Sequence, residues 1–482
     1  MKLDKFQMPV SERHTLPKQA RVALILIVLL CGFPSQAFAV KPNIILILAD
    51  DLSAKELGCY EGKEIKTPAL DELAQNGIMF KTAWASPVCG PSRALLLTGK
   101  YPCHTGYYNH SVGPGASREI FGKNLLIGQA MQKAGYATAM YGKLHDGGNP
   151  KDHGIDEYSY THPWNGYNGT DQGCREIGGP LYDVQWYWHP GIVANGRGIQ
   201  TGPEDFGPDL EVDLMRDFIR RHRSEPFFVY WPTFLPHMMY SPEKKWHFTD
   251  VPELDASGKK TGRKVLGSLK TNVEYLDHLV HKITAHLDVL GIRENTIIMF
   301  CADNGSPGYG KDRLESEVAI RVPFIVNAPG LVEKVGATDV LIDFTDILPT
   351  AMDLAGLKPS EGTTVDGRSF APLLVGSQFE PREWIFCEYG LSRWVRDERW
   401  LLDGFGLFWD CGDSRDEWNG YTDVTLSEDP EVIAARKRFE EISRRYLLPN
   451  YDDPLLGGAW KAYLQLRRPV DIYRPDYLKD LR

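Results

Sequence analysis

The sequence predicts an α/β fold: a mostly parallel β-sheet covered on both faces by helices, followed by a smaller antiparallel-sheet subdomain. Three observations carry that expectation. Short apolar runs alternate with segments of helical periodicity from Ile44 to Leu354. Several of the helical segments close on glycine, and the run from Ile44 to Leu48 has no polar member, as a strand buried on both faces requires. Beyond about Gly376 the pieces shorten and alternate, which is the pattern of antiparallel strands joined by turns.

In chain order, Ile44 to Leu48 is the first strand. Thr67 then offers a cap, Pro68 suits a first helical turn, Leu70, Leu73 and Ala74 make an apolar face, and Gly77 closes the helix. Leu125 to Ala134 repeats this with Gly135 as terminator, and Ala137 to Tyr141 follows as a strand. Between Tyr158 and Thr201, a stretch rich in glycine and aromatic residues (Trp164, Tyr167, Trp186, Tyr187, Trp188) has weak periodicity and reads as a long loop. Its rings either contact substrate or pack the loop onto itself. Asp209 to His222 is an amphipathic helix, Phe227 to Trp231 a strand, Asn272 to Leu290 a helix ending at Gly291, and Ile297 to Cys301 a strand. Pro323 to Val326 and a helix around Ile347 to Leu354 complete this part. Trp384 to Tyr389 and Trp394 to Leu402 are the expected strands of the subdomain, and Pro430 to Tyr446 is a charged helix.

A chain of 482 residues has room for one large α/β domain and a smaller one, expected here at 40–375 and 376–482. Residues 1–39 read as a secretion signal. Lys2, Lys5, Arg13, Lys18 and Arg21 precede an apolar run from Val22 to Leu30, and Ala37-Phe38-Ala39 supplies small residues for cleavage. That run is well short of the ~20 residues that cross a bilayer, so no stable membrane span is expected and the product is secreted or periplasmic. Cys31 follows Leu30 rather than a small residue and does not read as a lipid-attachment site. Removing the signal moves the formal charge from −10 to −13, which disfavours nucleic acid as a partner and requires any anionic substrate to find a local basic pocket. Cys59, Cys103, Cys174, Cys301, Cys387 and Cys411 leave disulfides open, with Cys301 read as a buried thiol inside its strand.

Ligands of open α/β sheets gather beyond the carboxyl ends of the strands. Asp50 and Asp51 follow the first apolar run, Lys143 and His145 follow Tyr141, His237 follows Trp231 across a short link containing proline, and Asp303 and Asn304 follow Cys301. Adjacent acids after a buried strand repel one another unless a cation is present. Three carboxylates and an amide suit a hard divalent ion, Ca2+ first and Mg2+ second, whereas the lack of clustered histidines and thiolates argues against zinc. Singly, an Asp-Asp pair caps a helix and Asp-Asn-Gly makes a tight turn, so the metal reading depends on the two pairs together with Cys89. Cys89 stands at the entry to a helix with Pro91 in its first turn, where the positive helix end favours negative charge. Arg93 adds a permanently charged donor fork.

The string Cys89-Gly90-Pro91-Ser92-Arg93, running on to Thr98-Gly99, resembles the signature of the type I sulfatases. The likeness extends through Asp50-Asp51, Gly142-Lys143-Leu144-His145, Pro236-His237, Asp303-Asn304-Gly305 and Arg321-Val322-Pro323. It implies an alkaline-phosphatase-like fold and a Cα-formylglycine made from Cys89 by a formylglycine-generating maturation enzyme. It further implies a metal held by Asp50, Asp51, Asp303, Asn304 and the modified Cys89. By the same likeness, a hydroxyl of the hydrated formylglycine attacks sulfur with help from Asp303. His237 protonates the departing alcohol, assisted by Lys311, and His145 takes the proton that lets sulfate leave. Lys143 and Arg93 hold charge on the sulfate and the diol. Lys143, His237 and Lys311 are the implied substrate contacts. One departure stands out: similar enzymes carry their sulfate-contacting lysine one residue nearer to the segment Glu317 to Pro323, where this chain has Asp312.

The substrate implied is a sulfated small molecule or glycan, with secretion and the aromatic stretch leaning toward carbohydrate. Two rivals remain: a phosphodiesterase or phosphonate monoester hydrolase of the same superfamily, and a non-catalytic sulfoglycan-binding protein in which Cys89 stays a thiol. Paired sulfate and phosphate ester assays separate the first, and the mass of the Cys89 peptide the second.

Overall fold

The computed structural model describes residues 41–109, 119–145, 148–161, 186–199, 201–241, 245–332, 335–358, 364–390, 392–415 and 420–446. The expected signal segment, Trp164, Tyr167, Cys31, Cys174 and the chain beyond residue 446 lie outside them.

Ten strands make the main sheet: β1 (Asn43–Ala49), β2 (Ile78–Phe80), β3 (Ala137–Gly142), β4 (Glu157–Thr161), β5 (Ile192–Ala194), β6 (Arg197–Ile199), β7 (Phe227–Pro232), β8 (Thr296–Ala302), β9 (Phe324–Asn327) and β10 (Gly336–Thr338). Their spatial order is β10-β2-β9-β8-β1-β7-β3-β4-β5-β6. The central five, β8 to β4, are parallel, and antiparallel pairings appear only toward the flanks, at β9 on one side and β5 and β6 on the other. Every residue of β1 and β8 is buried, which explains why their sequences run apolar without alternation.

The register decides where the site forms. Ala49 pairs with Ala302 and Leu48 with Pro232, so β1, β7 and β8 end level with one another. The Asp303 amide donates to the Ala49 carbonyl at 3.0 Å, and the Asp50 amide donates to that of Leu235 at 3.0 Å. At the end of β3, Gly142 has φ +120, and a Cβ there would come within 2.3 Å of the Pro232 carbonyl oxygen. Glycine therefore lets the Lys143 amide reach that same oxygen at 2.6 Å.

Helices α1 (Pro68–Gln75), α2 (Cys89–Thr98), α3 (Ile127–Lys133), α4 (Gly207–Arg221), α5 (Leu269–Val289), α6 (Ile347–Leu354) and α7 (Pro430–Arg445) match the expected segments to within a few residues. Thr67 does not cap α1 as expected. Its hydroxyl is engaged by the Gly58 amide and Asp71, and the buried Asp277 carboxylate of α5 accepts from the Ala69 and Leu70 amides at 3.2 and 2.8 Å instead. The expected 158–201 loop is also corrected at both ends. Tyr158 to Thr161 belong to β4, and Ile192 to Ile199 form a hairpin turning at Asn195 (φ 48) and Gly196 (φ 83).

A second, five-stranded sheet is an antiparallel meander: β11 (Ile385–Tyr389), β12 (Ser392–Arg396), β13 (Trp400–Leu402), β14 (Phe408–Asp410) and β15 (Thr422–Asp423). The expected single strand from Trp394 to Leu402 is thus two, divided by a turn in which Asp397 Oδ1 accepts from the Arg399 and Trp400 amides at 2.9 and 2.6 Å. This sheet packs Trp394, Leu401 and Trp409 onto Trp84 and Ile320 of the main body. Glu317 locks the contact, since its buried carboxylate accepts from Arg396, Trp84 and Tyr421. Among the described residues Cys59, Cys89, Cys103, Cys301, Cys387 and Cys411 form no disulfide, and Cys301 is buried within β8. No helix among them is long and apolar enough to cross a membrane.

Candidate active site

The site is built from the loops that leave β1, β3, β7 and β8, together with the first turn of α2. Asp50 and Asp51 follow β1, with Asp51 in the left-handed region at φ 69, a conformation that aspartate tolerates better than most residues. Its amide donates to Asp303 Oδ1 at 3.1 Å, so the turn after β1 is fixed by the acid after β8. The two loops are also stitched directly, because the Ser53 amide donates to Ser306 Oγ and the Ser306 amide to Ser53 Oγ, both at 2.8 Å. Neither serine carries a recognisable signal in the sequence.

Three acids meet three cations here. Asp303 Oδ2 accepts from Arg93 Nε at 3.1 Å and Nη2 at 2.7 Å, and Arg93 Nη2 lies 3.5 Å from Asp50 Oδ2. Lys143 also pairs with Asp50 Oδ2. Lys311 Nζ sits 2.6 and 2.5 Å from the two Asp51 oxygens, so the one-residue displacement of this lysine in the sequence still delivers its ammonium to the acid cluster. Asn304 Nδ2 donates to Asp51 Oδ1 at 2.6 Å. Burial works against ionising Asp50, but Lys143, His237 and Arg93 outweigh it and hold this carboxyl far below the usual range. Asp303 is pushed the other way by burial and by the charge of Asp50, which exceed the pull of Arg93. The two aspartates thus form a coupled pair in which Asp303 is protonated first.

Cys89 opens α2, only 5% exposed, and its Sγ lies 3.2 Å from His145 Nε2. Burial raises its thiol pKa, so the sulfur is held neutral. The motif serine has a mechanical role: Ser92 Oγ accepts from the Ser86 amide at 2.9 Å and lies 3.0 and 2.9 Å from the Ser86 and Val88 carbonyl oxygens. That ties down the chain immediately before Cys89. His237 is buried with Nε2 3.6 Å from Asp51 Oδ2 and Nδ1 on the Met238 carbonyl. A carbonyl only accepts, so Nδ1 carries a hydrogen and Nε2 is the atom that gains or loses a proton. Burial lowers the His237 pKa to about 4.

All ten residues singled out in the sequence are therefore near one another. Oxygens of Asp50 and Asp303 and the Cys89 sulfur fall within 4.8 Å of one another, and so do ligand atoms of Asp50, Asp51 and His237. Asp50 Oδ1 and Asn304 Oδ1 are buried without a hydrogen-bond partner among the described residues. Orphaned hard oxygens beside further carboxylates are what a divalent cation of the calcium or magnesium kind satisfies, so the donor set fits such an ion. Two rings stand beside His237: Trp186 of the aromatic stretch, stacked on Phe234 and 5.7 Å from the imidazole, and Trp246, which sequence reading missed, 6.1 Å from it and 48% exposed.

Residues 42–357 match the family model described as Sulfatase. The chain belongs to the sulfatase family. It is 30% identical over 393 residues to human arylsulfatase A (Homo sapiens), covering 73% of this chain and 71% of that protein. To the ulvan-active sulfatase of Formosa agariphila it is 28% identical over 385 residues, 76% of this chain and 66% of the relative. The crystal structure of Ps i-CgsB superposes with a TM-score of 0.66 at 22% identity, covering 85% of this chain and 94% of that one, which is a likeness of fold. The sulfatase family lies in the alkaline-phosphatase-like superfamily, in agreement with the mostly parallel central sheet and the separate small antiparallel sheet found here.

Proposed function

We propose that this chain is an exported sulfatase that hydrolyses a sulfate monoester of a sulfated carbohydrate. It would use a formylglycine made from Cys89 and a divalent metal, Ca2+ before Mg2+. The observation that carries the reading is the convergence of Cys89 with Asp50, Asp51, Asp303 and Asn304, the orphaned Asp50 and Asn304 oxygens among them. Those four residues would hold the metal alongside the oxidised side chain at position 89. When bound, the metal withdraws charge from a sulfate oxygen and the formylglycine supplies the nucleophilic hydroxyl.

The remaining work falls to the chain's own side chains. Cys89 Sγ marks where the oxidised residue projects, and His145 Nε2, 3.2 Å away, is positioned to take a proton from it. Asp303 is positioned to receive the first proton. Arg93 and Lys143 hold positive charge where a sulfate anion must enter, and Lys311 extends that charge over Asp51. His237 presents Nε2 as the donor to the departing alcohol. Burial keeps its ring neutral, and the negative charge of a bound sulfate ester would draw a proton onto it.

Carbohydrate is favoured by Trp186 and Trp246, which flank the atom that must face the leaving group and offer apolar faces for a sugar ring. The relatives named as ulvan-active sulfatase and N-acetylgalactosamine-6-sulfatase point the same way. Export through residues 1–39 and oxidation by a separate maturation enzyme belong to the same proposal. Its test is the mass of the Cys89 peptide from the native host, together with paired rates on aryl sulfate and aryl phosphate or phosphonate esters. An unmodified thiol, or preference for phosphorus, overturns it.

A further inference from the structure

A basic pocket adjoins the acidic cluster. Lys55, Tyr309, Glu317, Arg321 and Arg415 line it with Ser53, and it opens to solvent. Glu317 adds little negative charge there, since Arg396 neutralises its carboxylate at 2.9 Å and Trp84 and Tyr421 donate to it. Lys55 is exposed and holds its ammonium 3.3 Å from the centroid of the Tyr309 ring. Arg321 donates Nε to the Lys81 carbonyl at 3.0 Å. Arg415 donates to Asp339 and to the Ser414 carbonyl, both at 2.9 Å, while its Nε is buried without a partner among the described residues. Asp339, the carboxylate beside Arg415, is already shared with Lys81 at 3.1 Å. In a chain of net charge −10, this is a local excess of cations.

The pocket stands close to the acids. Ser53 follows Asp51 by two residues, and Tyr309 precedes by two the Lys311 whose ammonium grips Asp51. Two residues of chain reach at most about 7 Å, so the Ser53 wall of the pocket lies within that distance of the Asp51 backbone.

We propose that the pocket bounded by Lys55, Tyr309, Arg321 and Arg415 is a second anion subsite. It receives a sulfate or carboxylate carried by the sugar next to the one being desulfated. This inference rests on the carbohydrate sulfatase reading of the acidic site and narrows it to substrates that are multiply anionic oligosaccharides. Ammonium and guanidinium groups supply charge-assisted hydrogen bonds to such an anion.

The test is calorimetric titration of the full chain with heparin and carrageenan tetrasaccharides, galactose 6-sulfate and inorganic sulfate, alongside aryl sulfate turnover. The variants are Lys55→Glu, which alters only an exposed side chain, and Lys55→Ala combined with Arg415→Ala. Either variant is expected to bind the better tetrasaccharide at least about tenfold more weakly, with galactose 6-sulfate affinity and aryl sulfate turnover within twofold of the unmodified chain. Unchanged tetrasaccharide binding in both variants overturns the inference. So does a wild type that binds neither tetrasaccharide more tightly than galactose 6-sulfate. Weakened binding of inorganic sulfate alone assigns the pocket to a free anion and likewise overturns it. Absent aryl sulfate turnover in the wild type counts against the sulfatase reading instead, because the titrations do not depend on catalysis.

Discussion

Ser53 and Ser306 exchange a pair of hydrogen bonds, each amide donating to the other's hydroxyl at 2.8 Å across 253 residues of sequence. This double link sets the Asp50-Asp51 turn against the Asp303-Asn304 turn. Ser306→Ala would leave the buried Ser53 amide without its acceptor, at a cost of about 1–3 kcal/mol. The misaligned acids should also weaken divalent-cation affinity by about 10–100-fold. Chemical denaturation and calcium titration measure the two effects, and a loss of stability with unchanged affinity would show that the link does not orient the acids.

Cys89→Ala should abolish turnover of a sulfate ester while leaving the fold intact, because an alanine fits the space at the head of α2. Cys89→Ser should do the same in a host that oxidises only cysteine. Circular dichroism establishes the fold and an aryl sulfate assay the activity; full activity in either variant rules out the oxidised side chain.

Divalent-cation binding should be visible as stability. An ion present at 100 times its dissociation constant adds about 2.7 kcal/mol, and its removal by a chelator should lower the melting temperature accordingly. Asp50→Asn should erase that difference, since it removes a charge on which the binding reading depends. A melting temperature indifferent to Ca2+ and Mg2+ in the unmodified protein contradicts the assignment of these acids to a metal.

Glu211 sits in α4 beneath the sheet, only 2% exposed, with Trp231 Nε1 donating to it at 3.0 Å. Burial pushes its pKa up to about 8 from the ordinary 4.5. The folded chain therefore binds a proton that the unfolded chain has released between those values. The resulting stability is complete below pH 4.5 and is lost as pH rises through 8, on the order of 4–5 kcal/mol in all. Glu211→Gln keeps an acceptor for Trp231 and removes the titration, so its denaturation midpoint should fall less than that of the wild type between pH 6 and 9. Parallel decline of the two proteins would place the pH dependence elsewhere.

The parts that sequence reading reaches are those dictated by local chemistry. Ile44 to Leu48 reads as a doubly buried strand because nothing polar interrupts it, and the acids just past it mark its carboxyl end. Asn195-Gly196 also carries a local signal, since this pair between apolar residues is a strong hairpin cue, yet the surrounding glycines and aromatics obscured it. Asp277 as the cap of α1 is a different matter: it lies 207 residues from Leu70, and nothing near Thr67 announces it. Trp246 likewise reaches His237 only through the folding of its own short hairpin. Lys311 shows that spacing alone misleads in the other direction, because the loop between Ser306 and Glu317 absorbs the extra residue and brings the ammonium to Asp51.

Helix α2 has no exposed residue, from Cys89 through Thr98. If Cys89 is oxidised by a separate enzyme as proposed, that enzyme must reach the chain here, and the folded protein presents no exposed residue of α2 to it. On the reading proposed above, oxidation at this position would come before the sheet closes over it, and a molecule folded first would stay inert.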